Sequence, residues 1–507
     1  MKITTARRIS QVFFFALFIW LCAVTTVGEK FWQLRGWPVN FFLNLDPINA
    51  IATILSTHKL YGPLLWSLVA IILTILFGRF FCGFVCPFGA LHQLVSHLAH
   101  GRKKTDLIAL HKYSKAQNIK YYILFVILIM AALGRYSSLQ SGLLDPIPLF
   151  TRTINLLILP IIGDSAKIMT SGRFYQISLL TLSVFLIFVL LNFYKPRFFC
   201  IFICPLGALF GIINRFSILR INRNLSTCTD CKLCNSHCQG SCEPAETLKL
   251  SECILCFNCL DDCKFDAIDY NTTNSQTSQV APDLSRRGIL AAAFTGLLAL
   301  PAFRLSGISA RDNNLVRPPG AIGEKEFIKR CLKCGQCMKL CPTNVIQPAG
   351  LEYGLENLWT PVMNNRIGTS GCQLDCVACG YICPTSAIRP LTLAEKLGKG
   401  DFSGIGPVKI GTAYVDRSKC LAWALGTPCL VCQENCPVSP KAIYAKPAIV
   451  LAKQGSQPQI DTELLQPYVD AKLCIGCGIC QHECPIGSKG AIIVTPDGQS
   501  RENRLYL

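Results

Sequence analysis

The chain has 507 residues, 51% of them hydrophobic, with 30 cysteines and a net charge of +19. This length allows several domains, and so high an apolar content places part of the chain in lipid. The sequence has no C-x-x-C-H motif for attached haem and no G-x-x-x-x-G-K-[ST] loop for nucleotide phosphates. The Lys and Arg residues flank apolar spans, so we expect no nucleic-acid partner.

The N-terminal part predicts an α-helical membrane domain over residues 1–222. Lys and Arg are concentrated before the first span and after the second and fourth, which predicts a cytoplasmic N-terminus in a bacterial inner membrane. A short apolar run with Pro160 is expected to be interfacial or re-entrant. The four predicted spans are 11–28, 62–81, 119–134 and 174–194.

The membrane domain contains a parallel internal repeat. RFFCGFVCPFGALHQL at 79–94 returns as RFFCIFICPLGALFGI at 197–212, and LDPI precedes each copy, at 45–48 and at 144–147. Asp46 and Asp145 fit helix N-caps followed by proline, with proton handling as the alternative. The two C-x-x-x-C-P motifs should meet at the cytoplasmic edge. The four cysteines of these motifs would bind a metal, cycle between dithiol and disulfide, or shape a close helix contact. They are Cys82, Cys86, Cys200 and Cys204.

Residues 223–270 predict a cytoplasmic module with two [4Fe–4S] clusters. Two C-x2-C-x2-C-x3-C runs have the spacing of bacterial ferredoxins, in which the fourth cysteine of each run ligates the other cluster. Cys242 is a possible replacement for Cys238. Crossed ligation assigns Cys228, Cys231, Cys234 and Cys263 to one cluster, and Cys253, Cys256, Cys259 and Cys238 to the other.

Residues 311–507 contain four further cysteine quartets, each ending in C-x-x-x-C-P. Zinc sites typically use pairs of C-x2-C, and disulfides would not need this regular spacing, so iron–sulfur clusters are favoured. The prediction is an α+β fold of ferredoxin-like modules and six clusters in the whole chain. The four quartets are Cys331, Cys334, Cys337 and Cys341; Cys372, Cys376, Cys379 and Cys383; Cys420, Cys429, Cys432 and Cys436; and Cys474, Cys477, Cys480 and Cys484.

A polar linker at 271–284 joins the two parts. It leads into LSRRGILAAAFTGLLALPAF, where a twin arginine precedes an apolar run, so 285–310 is typical of a twin-arginine export signal. ISA at 308–310 would be its cleavage site, and the alternative is an ordinary fifth membrane helix. Either interpretation leaves 223–287 cytoplasmic and 311–507 periplasmic.

The two parts resemble known families. Residues 1–270 resemble the NapH/MauN membrane ferredoxin-type proteins in LDP, FFCGFVCP, FFCIFICPLGAL and the paired C-x2-C-x2-C runs. Residues 285–507 resemble the NapG/MauM exported ferredoxin-type proteins, in VRPPGAIGEKEFIKRCLKCGQCMKLCP and YVDRSKCLAWALGTPCLVCQENCP. The chain is therefore similar to a fusion of the two.

The resemblance implies a quinol dehydrogenase that passes electrons from the quinone pool to a periplasmic redox enzyme or cytochrome, such as the nitrate reductase system. It also implies that quartet one pairs with four, and two with three. Two alternatives remain, an electron-supplying maturation factor and a membrane redox sensor. Cys22 should be a packing residue. Polar groups weighed for quinol are His92, His97, Glu29, Asp46, His58 and Asp145.

Overall fold

The structure is a computed structural model. It describes residues 2–26, 37–100, 107–133, 141–163, 173, 175–272, 278–279, 281–282, 284–309, 315–450, 459–487 and 489–503. Glu29, seven of the fourteen linker residues and Ala310 of the predicted cleavage site lie outside these residues.

The described residues up to Leu219 form a helical half. Its longest helix, α1, begins at Ile3, and the apolar side chains of most helices meet in one core. The helices are α1 (Ile3–Ala23), α2 (Phe41–Asn44), α3 (Pro47–Thr57), α4 (Ser67–Phe77), α5 (Pro87–His100), α6 (Leu107–Leu110), α7 (Ile119–Ala132), α8 (Ser141–Leu144), α9 (Pro146–Thr153), α10 (Leu159–Gly163), α11 (Ser178–Leu190) and α12 (Pro205–Ile213).

Two helical segments among the described residues are long and apolar enough to cross a membrane. They are Ile3–Ala23 and Leu107–Ala132, and they contain most of the first and third predicted spans. The second and fourth predicted spans fall on shorter apolar helices, Gly62–Phe77 and Ser178–Phe193. The four-span arrangement therefore stays a prediction.

Each C-x-x-x-C-P motif is a π-helical turn followed by a new helix. The turns are Phe81–Val85 and Phe199–Ile203, and in each the second cysteine has extended backbone angles that end the turn. Proline then begins the next helix, α5 or α12, where its missing N–H costs nothing. The sequence repeat is thus also a structural repeat, with the wide turns that often mark functional sites.

Residues 220–271 form a module closed by an antiparallel strand pair, β1 (Arg220–Arg223) with β3 (Ile268–Asn271). Small parallel contacts join β2 (Leu248–Lys249) to β4 (Ser278–Gln279). Two short helices begin within the cysteine runs, α13 (Leu233–Ser236) and α14 (Asn258–Asp262). Each cysteine run thus contributes one short helix to the module.

The predicted fifth helix is α15 (Arg286–Ser309). It packs along α7, where Gly288 faces Tyr122 and Gly296 faces Ile129. Its first half is therefore fixed to the helical half by close glycine contacts.

The C-terminal module consists of short helices and antiparallel strand pairs. β5 (Ile346–Pro348) pairs with β6 (Pro361–Met363), β7 (Thr412–Val415) with β10 (Ile492–Thr495), and β8 (Ile443–Val450) with β9 (Gln459–Val469). The helices are α16 (Glu324–Arg330), α17 (Gln336–Leu340), α18 (Ala378–Tyr381), α19 (Leu393–Leu397), α20 (Leu421–Ala424), α21 (Val431–Glu434), α22 (Ile479–Glu483) and α23 (Ser500–Asn503).

The two iron–sulfur modules contact opposite ends of α1. Near its start, buried Arg7 lies in the electrostatic field of Cys256 in the first module. Near its end, buried Cys22 lies in the field of Cys334 in the C-terminal module. Fifteen residues of helix separate Arg7 from Cys22, which corresponds to about 22 Å at ~1.5 Å per residue.

Candidate functional site

The first module brings together the four cysteines of one predicted cluster. A cavity is lined by Cys228, Cys231, Cys234 and Cys263. The Arg223 Nε donates to the Cys228 Sγ at 3.2 Å, and the Ala267 N–H donates to the Cys263 Sγ at 3.3 Å. Such donors stabilise thiolate ligands, so the cavity fits a cubane.

The second group of this module includes both Cys238 and Cys242. Their Sγ atoms are 3.3 Å apart, and the Cys242 N–H donates to the Cys238 Sγ at 3.3 Å. The hydrogen bond from the Cys242 thiol lowers the pKa of Cys238, and the pKa of Cys242 is raised. Cys256 and Cys259 lie in the field of Cys238. The structure brings both Cys238 and Cys242 to this group, with Cys242 beside Cys253 as well, so the choice of ligand between the two stays a prediction.

The C-terminal module contains four cavities, each lined by three cysteines of one quartet and the fourth cysteine of another. We name each cavity after the first of its three cysteines from the same quartet: the Cys331, Cys372, Cys420 and Cys474 cavities. They are lined, respectively, by Cys331, Cys334, Cys337 and Cys383; by Cys372, Cys376, Cys379 and Cys341; by Cys420, Cys429, Cys432 and Cys484; and by Cys474, Cys477, Cys480 and Cys436.

The pairing implied by the resemblance is therefore wrong. Quartet one exchanges its fourth cysteine with quartet two, and quartet three with quartet four. The physical reason is strand closure. An Ala321–Ile388 bridge closes the first pair of quartets, and β7 with β10 closes the second pair.

Quartets one and two form one unit of the C-terminal module, quartets three and four form the other, and quartets two and four meet where the two units touch. The Cys372 N–H donates to the Cys477 carbonyl oxygen at 2.7 Å. The four cavities therefore form a row in the order Cys331, Cys372, Cys474, Cys420. At the Cys372 cavity, the buried Lys396 Nζ lies 3.5 Å from the Cys372 Sγ and donates to the carbonyl oxygens of Gln373 and Cys376.

The four C-x-x-x-C-P cysteines converge between the two repeats. Cys86 lies in the field of Cys82 and Cys200, and Cys204 lies in the field of the other three. The Gly89 N–H donates to the Cys86 Sγ at 3.4 Å, and the equivalent Gly207 N–H donates to the Cys204 Sγ at 3.2 Å. We call these four cysteines with Arg79 and Arg197 the thiol end of the helical half.

Arg79 and Arg197 occupy equivalent positions in the repeat, and both are buried. The Arg79 Nη2 lies 3.9 Å from the Cys82 Sγ and reaches Gly207 of the second repeat. The Arg197 Nη2 donates to the Gly89 carbonyl oxygen at 3.3 Å in the first repeat. The two side chains thus cross between the repeats. The sequence interpretation missed this role, although the repeated RFFC was its signal.

The LDP motifs place two carboxyl groups together at the other end of the helical half. Asp46 caps α3, accepting from the Ile48 N–H at 3.0 Å, whereas Asp145 precedes α9 without a side-chain cap. Both are fully buried and interact with each other. Burial raises the pKa of Asp46 to about 6, and burial together with the charge of Asp46 raises the pKa of Asp145 further.

Buried polar atoms that have no hydrogen-bond partner in the described chain lie on α3, which Asp46 caps, and at the start of α8, four residues before Asp145. They include both side-chain polar atoms of Asn49, whereas Asp46 and Asp145 hydrogen-bond each other and Asp145 also accepts from the backbone of Ile147. The hydroxyl groups of Thr53 and Ser141 complete the set. Asp46, Asn49 and Thr53 follow helical spacing on one face. We call Asp46, Asn49, Thr53, Ser141 and Asp145 the carboxyl end. Nothing in the sequence distinguishes Asn49 and Thr53 from ordinary helix residues.

The three histidines considered for quinol are not among the five residues of the carboxyl end. His92 is buried between Phe88 and Phe199 near the thiol end, with its Nδ1 2.6 Å from the Asn192 Nδ2. His97 and His58 are exposed. Among the described residues, no group of three or more His, Cys, Asp or Glu side chains is placed to hold a single metal ion.

Two family profiles described as 4Fe-4S binding domains match the chain. One matches residues 60–106 and 177–226, and the other matches 329–347 and 467–488. The cysteines in the first two segments are those of the thiol end. No solved structure matches the chain.

The curated relatives cover different parts of the chain. The methylamine utilization ferredoxin-type protein MauM of Methylorubrum extorquens is 30% identical over 220 residues, 42% of this chain and 88% of that protein. Protein MJ0749 of Methanocaldococcus jannaschii is 28% identical over 282 residues, 55% of this chain and 91% of its own. Protein NirI of Paracoccus denitrificans is 29% identical over 202 residues, 39% of this chain and 26% of its own.

Proposed function

Because the chain belongs to the family of MauM ferredoxin-type proteins and is an iron–sulfur electron-transfer protein, we propose that it oxidises quinol at the carboxyl end and passes the electrons to the C-terminal module. In this proposal the helical half lies in the membrane with its carboxyl end on the periplasmic side. The six cysteine groups of the two modules hold six [4Fe–4S] clusters, and the row in the C-terminal module delivers electrons to a periplasmic redox enzyme, such as a nitrate reductase system.

The observation that carries the proposal is the set of unpartnered buried polar atoms at the carboxyl end. Buried polar groups without partners are costly, so a cluster of them indicates a bound polar molecule. A quinol headgroup has two hydroxyl groups that donate and accept hydrogen bonds. Asp46 with a pKa of about 6 is ionised at neutral pH and can accept one hydroxyl proton.

The same helices hold the first cavity of the C-terminal row. The Ser56 Oγ of α3 donates to the Lys329 carbonyl oxygen at 3.0 Å. The Arg152 Nη1 of α9 donates to the Lys333 carbonyl oxygen at 3.1 Å, next to Cys334. Gly142 of α8 lies so close to the Leu332 carbonyl oxygen that a Cβ would overlap it. Electrons leaving the carboxyl end therefore meet the Cys331 cavity first.

Quinol oxidation releases two electrons and two protons. Clusters held by the cysteines of the row would supply one-electron acceptors, so two successive transfers would oxidise one quinol. The buried carboxyl groups would accept and release the two protons. The row then ends at the Cys420 cavity, where exposed Leu425 adjoins the cysteine loop and gives a partner access.

The test is anaerobic reduction of the full chain, purified in detergent, by a menaquinol analogue. We expect rapid visible bleaching and a paramagnetic resonance signal from reduced clusters. The exposed His97 gives a matched control, because His97→Ala should leave the rate unchanged. Reduction by dithionite without any reduction by quinol would reject the proposal.

A further inference from the structure

We propose that a cationic and aromatic surface beside the Cys420 cavity docks an acidic redox protein. The surface belongs to the unit formed by quartets three and four, and we call it the docking patch. It consists of Arg417, Trp423, Tyr444, Lys446 and Tyr468. The inference rests on the proposed delivery of electrons at the Cys420 end of the row, and it adds where the acceptor binds and which charge it carries.

Strand pairing and α20 bring the three aromatic rings together. Tyr444 and Lys446 are two residues apart on β8, so their side chains project to the same side of the strand. Tyr468 on β9 is the residue directly opposite Tyr444. The two tyrosine rings stack with centroids 5.8 Å apart, and Trp423 of α20 meets the Tyr468 ring edge-on at 5.2 Å. The rings therefore form one continuous surface.

The docking patch lies against the wall of the last cavity in the row. The Trp423 Nε1 donates to the Pro467 carbonyl oxygen at 3.2 Å, and Pro467 lines the Cys420 cavity. Trp423 is also only three residues after Cys420, because α20 begins directly at the residue that follows this cysteine. The rate of electron transfer falls steeply with distance, so an acceptor has to bind close to its donor. A protein bound at the docking patch meets this requirement.

Two cations lie on the aromatic rings of the docking patch. The Arg417 guanidinium lies 4.2 Å from the centroid of the Trp423 ring and 5.8 Å from that of Tyr468. The Lys446 Nζ lies 5.2 Å from the centroid of Tyr468 and 5.5 Å from that of Tyr444. Contacts between a cation and a ring hold both charges in place. Tryptophan, tyrosine and arginine are also the residue types that contribute most to binding between proteins.

The charges of the docking patch are available to a partner. Arg417 and Lys446 are exposed, and among the described residues neither of them forms a salt bridge with a carboxylate, whereas neighbouring Lys419 pairs with Asp416 at 2.8 Å. Carboxylates on a partner would therefore complement Arg417 and Lys446. Complementary charges at such a surface mainly accelerate association and select the partner.

The long first gap of the third quartet adds an apolar element next to the docking patch. The eight residues between Cys420 and Cys429 form α20 and a loop, in which residues 424–428 are exposed. Leu425 in this loop is 71% exposed. An apolar contact beside a charged and polar rim is the usual anatomy of a protein interface, and weak electron-transfer complexes use small ones.

A lipid surface is the competing occupant, because tryptophan, tyrosine, lysine and arginine are also typical of membrane interfaces. The position of the docking patch favours a redox protein. Lipid bound there would cover the end of the row, where an acceptor has to approach the Cys420 cavity.

The test uses the full chain in phosphatidylcholine nanodiscs, reduced by dithionite and freed of excess reductant under anaerobic conditions. The probes are a lysine-rich cytochrome c and the same cytochrome made acidic by succinylation of its lysines. In each transfer the chain loses one electron and one ferric haem iron of the probe becomes ferrous, with no bond or proton exchanged. Because dithionite replaces quinol as the reductant, a failure of quinol oxidation would not affect this measurement.

Stopped-flow absorbance measures the rate at which each haem is reduced. At low salt the acidic cytochrome should react faster than the lysine-rich one. Its advantage should disappear near 1 M salt, where the screening length is only ~3 Å.

A pair of double variants with the same loss of charge locates the contact. Arg417→Gln with Lys446→Gln should slow the acidic cytochrome by about 10-fold at low salt, since electrostatic steering raises association rates by at least that factor. The control is Lys325→Gln with Lys399→Gln, at exposed positions on α16 and just after α19, and it should keep the wild-type rate. All four side chains are exposed, so both variants should fold, and their visible absorbance checks that they do.

Three results would overturn the proposal. The first is an equal rate in the two double variants, and the second is a lysine-rich cytochrome that reacts faster than the acidic one at low salt. The third is co-sedimentation of the wild type with phosphatidylglycerol vesicles that is lost when Arg417 and Lys446 are replaced, which would assign the docking patch to a lipid surface.

Discussion

The thiol end and the carboxyl end use the same construction for different chemistry. In each, the internal repeat contributes one copy of a motif from each half, and like side chains meet between them. At the thiol end, the converging sulfurs lie beside buried arginines, which suits an anionic redox centre. At the carboxyl end, the converging acids lie at the ends of helices that carry unpartnered amide and hydroxyl groups, which suits proton transfer. A parallel repeat can thus bring like side chains together at two different places in one scaffold.

The largest predicted effect is on the rate of quinol oxidation. It concerns the carboxyl end, and its dependence on pH distinguishes this end from the thiol end. Asp46→Asn should reduce the quinol oxidation rate by about 10²–10⁴-fold, because it removes the group that accepts the proton. In the wild type the rate should fall as the pH drops through about 6, the pKa of Asp46, because protonation removes the base. Stopped-flow reduction at several pH values measures both. If Asp46→Asn kept the wild-type rate and pH profile, the proposal that the carboxyl end accepts a proton would be rejected.

Glycine contacts at the two ends allow each module to be detached separately. A Cβ at Gly83 would overlap the Ile254 carbonyl oxygen of the first module, and one at Gly142 would overlap the Leu332 carbonyl oxygen of the C-terminal module. Each Gly→Ala substitution should destabilise its own contact by about 1–3 kcal/mol. Limited proteolysis should then show increased cleavage around one module only. Gly404→Ala, with open space around it, is the control; equal cleavage in all three variants would contradict the assignment.

A buried lysine beside one cavity of the C-terminal row tests whether the reduction potentials in that row are set locally, independently of the thiol end and the carboxyl end. Lys396→Met removes a buried positive charge beside Cys372. The reduction potential of the cluster proposed there should fall by on the order of 100 mV, since a unit charge ~7 Å away at an effective dielectric constant of ~20 is worth roughly 2 kcal/mol. Redox titration measures the shift. Exposed Lys399→Met should show none, and the same shift in both would exclude a local effect.

The smallest predicted effect concerns the two ion pairs that Glu324 makes, with Arg317 and with Arg501. Burial alone would raise the pKa of Glu324, but Arg317 and Arg501 outweigh it and hold the pKa at about 2. Its stabilisation should therefore be complete above its unfolded pKa of ~4.3 and disappear as the pH falls through about 2. Glu324→Gln should be less stable than the wild type at pH 7, and chemical unfolding should show the difference shrinking in acid. A constant difference would show that the pair does not titrate.

The grouping of cysteines within a short segment could be predicted from sequence, whereas contacts between distant segments could not. The ferredoxin spacing predicted groups such as Cys228, Cys231, Cys234 and Cys263, because a short loop places neighbouring thiols together. The pairing of the C-terminal quartets depends on which distant strands close, and the resemblance implied a different one. Arg79 and Arg197 look like ordinary basic residues after apolar spans. The contacts of Arg79 and Arg197 between the repeats arise only when the two repeats pack together. The same holds for the unpartnered polar atoms of Asn49.

The exchange of fourth cysteines also constrains how the protein is made. The Cys331 cavity is complete only after Cys383 has been synthesised, and the Cys420 cavity only after Cys484. During translation, the unit nearest the helical half can therefore accept its cofactors before the farther unit exists. Cofactor loading in the C-terminal module should proceed outward from the helical half, so a ribosome stalled between the two units would carry a half-loaded module.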